Sequence, residues 1–209
     1  MRPVPDSFRI VVLASGGGTN LQAIIDQLHG QGRVEVVGVG SDQADAFALE
    51  RARAAGIDTG VFTRKQHGDR LNRDLAMADW IDSRSADLVV LAGYMQLVSP
   101  EFVGRFRGRI INVHPALLPS FPGLDAIGQA VEHGVRVTGV TVHFVDEGTD
   151  TGPIILQRAV EVPADWDREQ LENAVHEIEH QIYPEAIGMI SEGRVRIADD
   201  SPRQVIIDQ

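Results

Sequence analysis

The chain contains no cysteine among its 209 residues. Disulfides, thiol nucleophiles and thiolate metal sites are thereby excluded together, while the redox compartment stays open. Cations are scarce as well: 19 Lys and Arg stand against 30 Asp and Glu, a formal net charge of −11. A broad phosphate-backbone footprint needs clustered cations to displace counterions, so nucleic acid is not an expected partner. Small anions stay open, because amides at a helix start bind them whatever the global charge. Long apolar runs are missing too. The first one, residues 10–14, is far shorter than a signal-peptide core or a membrane span, which makes a cytoplasmic protein without a membrane partner the expectation. With no linker, and with 43% hydrophobic and 23% charged residues, the chain suits one large domain or two small ones around a sizeable core.

What is present reads as alternating strands and helices. Ile10-Val11-Val12-Leu13-Ala14 has the continuous apolar pattern of a strand buried on both faces. It runs into Ser15-Gly16-Gly17-Gly18-Thr19-Asn20 and then an amphipathic stretch, with Leu21, Ile24, Ile25 and Leu28 at helical spacing. Strand, glycine turn and helix in that order offer successive N–H groups to an anion, with Thr19 or Asn20 as the expected helix cap. A tight structural turn is the bland alternative. The dinucleotide fingerprint is excluded because Leu21 stands where its third glycine belongs, and a P-loop because Gly-Lys-Ser/Thr is absent. Without that glycine, Asp42 at the end of the second strand carries little weight as a ribose ligand.

Further along, helices are expected over 44–55 and 70–83, the second with Leu71, Leu75, Ala78 and Ile81 inward, and a buried strand over 88–92. The loop after it, Gly93-Tyr94-Met95-Gln96-Leu97-Val98, has apolar residues that suit a flat heterocycle, although Leu97 and Val98 fit a core equally well.

The run Arg109-Ile110-Ile111-Asn112-Val113-His114-Pro115 organises the rest. Period-two geometry places the amide of Asn112 and the imidazole of His114 on one face at a strand's end, and Pro115 stops the pairing. That edge of a parallel sheet is where α/β proteins place ligands. A neutral donor beside a titratable one is what a developing oxyanion needs. A turn-capping Asn112 with a core His114 is the alternative. A proline-rich loop, a helix over 125–133 and an alternating strand over 138–145 follow, with Val140, Val142 and Phe144 on one face and Thr141, His143 and Val145 on a polar-lined one. The acidic loop 146–153 then carries Asp150 between two glycines. A last long strand is expected over 154–162 and a helix over 167–182 with Leu171, Val175, Ile178 and Ile182 inward, so that Glu172, His176, Glu179 and His180 point elsewhere. From about Pro184 on, a further helical turn or two, a short extended piece at 194–197 and a tail complete the chain. His176-Glu177-Ile178-Glu179-His180 matches the H-E-x-x-H zinc pattern, but five residues with two wildcards recur by chance and nothing nearby nominates a third ligand, so no metal is expected.

Taken in order, V-V-L-A-S-G-G-G-T-N-L-Q-A-I-I, A-D-A-F-A-L-E-R-A, V-V-L-A-G-Y-M, N-V-H-P-A-L-L-P-S-F-P-G, V-H-F-V, D-T-G-P-I-I-L-Q and E-H-Q-I-Y-P resemble the phosphoribosylglycinamide formyltransferases, folate-dependent enzymes of purine synthesis. The resemblance runs from about residue 10 to about 196. It implies an α/β fold with a mostly parallel central sheet and helices on both faces. A Rossmann-like nucleotide-binding half would span about 9–110, a folate-binding and catalytic half about 111–197, and a tail 198–209. It further implies Asn112, His114 and Asp150 as the catalytic trio. Gly18, Thr19 and Asn20 would hold the phosphate of glycinamide ribonucleotide, Glu179 its ribose with His176 nearby, and the Gly93 and Pro115 region its glycyl end. The pterin of 10-formyltetrahydrofolate, the co-substrate, would lie against Met95, Gln96, Leu97 and Val98, with Asn112 and the loop of Asp146, Glu147, Gly148, Thr149 and Asp150, largely through backbone groups. Gln96 stands where members often carry Arg, and His176 where Gln is common. An arginine often found on the segment before the Leu88 strand has no clear counterpart here, Arg70 being the one candidate. A homodimer is allowed.

On that reading the amine attacks the formyl carbon, Asn112 and His114 donate to the resulting oxyanion at roughly 3–4 kcal/mol per donor, and Asp150 keeps His114 charged and helps carry the proton. Related formyl-handling enzymes are the rivals: a formyltetrahydrofolate hydrolase, usually with an extra amino-terminal domain, or a methionyl-tRNA formyltransferase, with an extra RNA-binding domain and a basic surface. A non-catalytic nucleotide-binding protein is the rival from another class.

Overall fold

The computed structural model describes residues 7–198 and 200–208, Pro202 by its backbone only. It is an α/β protein whose seven-stranded, mostly parallel central sheet is flanked by helices. The chain forms two compact units, one through Ile111 and one from Asn112.

In the first unit the parallel strands lie in the order β3-β2-β1-β4, with β1 Phe8–Leu13, β2 Val34–Ser41, β3 Thr59–Val61 and β4 Leu88–Leu91. This is the Rossmann-like half-order. Ile10, Val11, Val12, Leu13 and Ala14 have no exposed surface, as an unbroken apolar run between helices requires. Helix α1, Thr19–Leu28, starts from Gly18 in the left-handed region (φ 69°), and no side chain caps it. The expected cap at Thr19 or Asn20 is therefore corrected. Both residues already lie in the first turn, because a left-handed residue turns the chain into the helix and only glycine adopts that cheaply here. Helix α2, Phe47–Ala54, begins three residues later than expected, since residues 44 and 45 form a turn and Ala46 is extended.

Two short helices fell outside the sequence reading. Helix α3, Arg64–His67, is closed by a Thr63/Gln66 capping box, and α5, Pro100–Arg105, by Ser99 with proline in its first turn. Helix α4, Arg70–Asp82, buries Arg73, Asp74, Met77, Ala78 and Ile81, whereas Leu71 and Leu75, expected inward, are 41% and 38% exposed. The buried stripe is rotated because an ion pair, not leucine, fills its first turn.

In the second unit the end of β5, Ile110–His114, leads through a proline-rich loop to α6, Ala126–Glu132, capped by Asp125. The antiparallel pair of β6, Val137–Phe144, and β7, Ile154–Glu161, follows. The face of β6 expected to be polar-lined is buried but satisfied: Thr141 Oγ1 donates to Ala116 O (2.7 Å) and accepts from Leu118 N (3.1 Å). Helix α7 is one 24-residue element, Arg168–Ser191, opened by an Asp167/Gln170 capping box. It runs through Pro184 instead of stopping at Ile182, because Tyr183, Ala186 and Ile187 are fully buried and their packing outweighs the hydrogen bond a proline removes. Glu179, expected to point away from the core, is 4% exposed. The presumed tail carries β9, Ser201–Ile207, antiparallel to β8, Val195–Ala198. Among the described residues no helix is long and apolar enough to cross a membrane.

Candidate active site

Strand β5 delivers two functional groups at its end, as its alternation demands: His114 is 4% exposed and Asn112 half-buried. Asp150 reaches them from the loop after β6. Its backbone is in the left-handed region (φ 53°), which a short carboxylate side chain tolerates. The carboxylate then lies between two imidazoles, with Oδ2 at 3.4 Å from His114 Nδ1 and Oδ1 at 3.6 Å from His143 Nε2. These are ion-pair distances, longer than a tight hydrogen bond. The firm bond to Asp150 is from the Gly123 amide, 2.8 Å to Oδ2.

Asp150 is a compromise between opposing effects. Its burial, the largest single influence, raises its pKa. The bond from His143, the Gly123 amide and the charges of His114 and His143 together outweigh burial and hold it below the usual carboxylate range. Asp150 is therefore ionised at neutral pH.

Both nitrogens of His114 have partners. Nε2 is 2.8 Å from Phe121 O, which only accepts, so that nitrogen carries a hydrogen, and Nδ1 turns to Asp150. The same logic applies to His143: Nδ1 donates to Phe144 O (2.8 Å), and Nε2 faces Asp150 and the Asn112 amide nitrogen, the latter at 3.4 Å. The half-buried amide of Asn112 is thus the least committed donor of the group. Phe121, which orients His114, is itself in the left-handed region at φ 52°.

Asp146, Glu147, Gly148 and Thr149 precede Asp150 in a turn organised from within. Asp146 Oδ1 accepts from Gly148 N (3.0 Å) and Thr151 Oγ1 (2.7 Å). Past it, Gly152 passes so close to the Phe144 carbonyl that a Cβ would stand 1.8 Å from its oxygen. Pro115 is half-buried directly after His114. On α7, His176 Nδ1 lies 3.0 Å from Glu179 Oε2, and that bond raises the His176 pKa despite partial desolvation. The rings of His176 and His180 stack with centroids 6.4 Å apart, and among the described residues no group of three or more His, Asp or Glu could hold a metal ion.

In the first unit the glycine turn is pinned by its carbonyls. Gly16 O accepts from Ala48 N (3.0 Å) and Gly17 O from Arg51 Nε (2.8 Å). In a trans peptide the next N–H points the opposite way, so the amides of Gly17 and Gly18 face away from α2, as an anion site requires. At Gly18 a Cβ would meet Ala48 Cβ at 2.7 Å. Thr19 is exposed and Asn20 buried in the first turn of α1.

The loop after β4 turns at Gly93 (φ 71°) and projects Met95 and Leu97, 64% and 63% exposed, with Gln96 exposed and Val98 half-buried. An edge clad in solvent-facing apolar groups suits a flat heterocycle. Much of the loop's backbone is already occupied, however. Ser15 Oγ accepts from Met95 N (2.8 Å), Arg73 donates to Leu97 O (3.3 Å) and to Gln96 Oε1 (3.2 Å), Arg70 donates to Val98 O, and Asp74 accepts from Ser99 N (2.6 Å). Arg73 and Asp74 form a buried ion pair at 2.7 Å.

The sequence reading left His143, Phe121 O, the Gly123 amide, Arg73 and Asp74 without roles. The alternation of β6 put His143 on a polar face, a usable signal; backbone groups and an adjacent Arg-Asp on a helix leave none.

An amide, an imidazole and a carboxylate held together on an α/β scaffold are the parts that an enzyme of group transfer uses. The chain belongs to the formyl transferase family, matched over residues 8–187. It is 45% identical to the phosphoribosylglycinamide formyltransferase of Haemophilus influenzae, over 92% of this chain and 91% of that one. Among solved structures it is similar to glycinamide ribonucleotide transformylase 1 from Symbiobacterium toebii (TM-score 0.93, 48% identity, 98% of this chain and 95% of that one). A formyltetrahydrofolate deformylase from Pseudomonas syringae pv. tomato shares the fold at TM-score 0.89 and 25% identity, covering 97% of this chain and 66% of that one.

Proposed function

We propose that this chain transfers the formyl group of 10-formyltetrahydrofolate to the amine of glycinamide ribonucleotide, giving formylglycinamide ribonucleotide and tetrahydrofolate, in cytoplasmic purine synthesis. The observation that carries the reading is the grouping of Asn112, His114 and Asp150 within the second unit, in a chain 45% identical to an enzyme of that name.

Attack of the amine on the formyl carbon places negative charge on the formyl oxygen. Asn112 is the direct donor to it, because its only neighbour in the group is a long contact to His143 that is cheaply exchanged. His114 donates directly only after giving up the Phe121 carbonyl. Asp150, ionised and buried beside two imidazoles, stabilises positive charge on them and so offsets the oxyanion. The amine proton passes through this group to the leaving folate nitrogen, with no covalent enzyme intermediate. The phosphate of the nucleotide is assigned to Gly18, Thr19 and Asn20, its ribose to Glu179 with His176, its glycyl end to Gly93 and Pro115, and the pterin to Met95, Gln96, Leu97 and Val98 with the 146–150 loop. The exposed apolar pair Met95 and Leu97 supports the pterin assignment.

The fold shared with a deformylase keeps one second reading open, in which water replaces the amine. Incubating the chain with 10-formyltetrahydrofolate, with and without glycinamide ribonucleotide, separates the two. Formyl loss that requires the nucleotide supports transfer, loss without it identifies a hydrolase, and no loss in either overturns both.

A further inference from the structure

The first unit contains a polar joint that the chemistry above does not use. Ser15, the residue between β1 and the glycine turn, donates its amide to Gly93 O (3.0 Å), while its hydroxyl accepts from Met95 N (2.8 Å) and donates to Asp42 Oδ1 (2.5 Å). A hydroxyl has one hydrogen and a carboxylate only accepts, so the hydrogen is committed to Asp42 and a lone pair is left for Met95. Asp42 is itself 6% exposed and held on its other oxygen by Gln43 Nε2 (2.8 Å). The direction of the Ser15 hydroxyl is therefore fixed, and one residue is bonded into the start of the 93–98 loop while forming the root of the turn whose Gly16 and Gly17 carbonyls are tied to α2.

We propose that Ser15, oriented by Asp42, is a positioning residue that couples the two loops, so that a nucleotide phosphate on the glycine turn raises the affinity of the 93–98 loop for a reduced folate. A ligand that favours one arrangement of the turn favours, through the Ser15 hydrogen bonds, one arrangement of Gly93 O and Met95 N, and a second ligand that fits that arrangement then binds tighter. By linkage the folate tightens the nucleotide by the same factor. The inference rests on the proposed assignment of the turn to the nucleotide and of the loop to the folate.

The test titrates tetrahydrofolate into the full chain by calorimetry, with and without saturating glycinamide ribonucleotide, in the wild type, Ser15→Ala, Asp42→Ala and Asp42→Asn. The nucleotide is expected to tighten tetrahydrofolate by about tenfold in the wild type and by less than about twofold in Ser15→Ala and Asp42→Ala. Asp42→Asn, whose amide oxygen still accepts from Ser15, should return most of the wild-type factor. In steady state, Ser15→Ala should raise the KM of the formyl donor roughly tenfold while kcat stays within about threefold, a split that general damage to the fold does not produce. If Ser15→Ala does not fold, the two Asp42 variants decide. An unchanged coupling factor in the alanine variants, or no coupling in a wild type that transfers formyl, overturns the inference and leaves the proposed function standing. A wild type that neither binds the nucleotide nor transfers formyl overturns both.

Discussion

At the scale of single residues, the burial of Asp150 between His114 and His143 makes its charge the sensitive quantity. Asp150→Asn keeps the shape and removes the charge, so kcat should fall by about a hundredfold or more, the size of an acid–base or charge contribution. The KM for the nucleotide should stay within about threefold, because that substitution removes no phosphate-binding group. Steady-state kinetics with both substrates checks it. Asn112 is sensitive in a different way. Asn112→Ala loses one donor, roughly a hundredfold to a thousandfold in kcat. Asn112→Asp should be slower still, since it sets an anion where an anion forms. The reverse order would remove Asn112 from the oxyanion role.

The elements themselves carry two further predictions. The glycine turn depends on one residue in particular: Gly18 combines φ 69° with a position at which an added Cβ would stand 2.8 Å from Ala48 Cα. Gly18→Ala should destabilise the chain by about 1–3 kcal/mol from left-handed strain, with the overlap added to it, and should raise the KM for the nucleotide. Urea unfolding and steady-state kinetics read the two effects separately. On α4, the Arg73–Asp74 pair is buried and holds the 96–99 stretch. Replacing Arg73 by Met takes the nearer cation from a buried carboxylate and leaves only the half-exposed Arg70, 4.0 Å away, so the expected loss is up to about 3–5 kcal/mol, measured by the same unfolding. These elements also mark how far reading the chain could go. Strands β1 and β4 were legible because an unbroken apolar run has one good solution in an α/β protein. The inward face of α4 was not, because no rule of periodicity expects an arginine and an aspartate to be the most buried residues of a helix's first turn.

For the whole molecule, two groups give the stability opposite dependences on pH. Asp150 has a lowered pKa in the folded chain, so its contribution is present above about pH 4, the value of an unperturbed aspartate, and is lost as pH falls through the folded value. His176 has a raised one, so the His176–Glu179 contribution is full below about pH 6.5 and disappears as pH rises through the folded value. His176 is half-exposed, which keeps its share small. Urea midpoints should therefore separate wild type from His176→Gln at pH 5.5 and converge by about pH 8.5, whereas Asp150→Asn should show a flatter acid limb below about pH 4. A constant gap between wild type and His176→Gln across that range would show that the ion pair does not report in stability.

The chain's order of residues was enough to determine its class, its alternating elements, the glycine turn and the amide, imidazole and carboxylate that its family resemblance singles out. Each of these is written in local spacing: apolar runs, a period of two, glycines beside a helix. Tertiary structure alone decided which groups partner Asn112, His114 and Asp150 and which loops are joined. The His143 ring, the Phe121 carbonyl, the Gly123 amide and the Ser15–Asp42 bond meet their partners across 7 to 80 residues of chain. Such contacts depend on how strands and loops are stacked, a property of the packed whole that no short window of sequence contains.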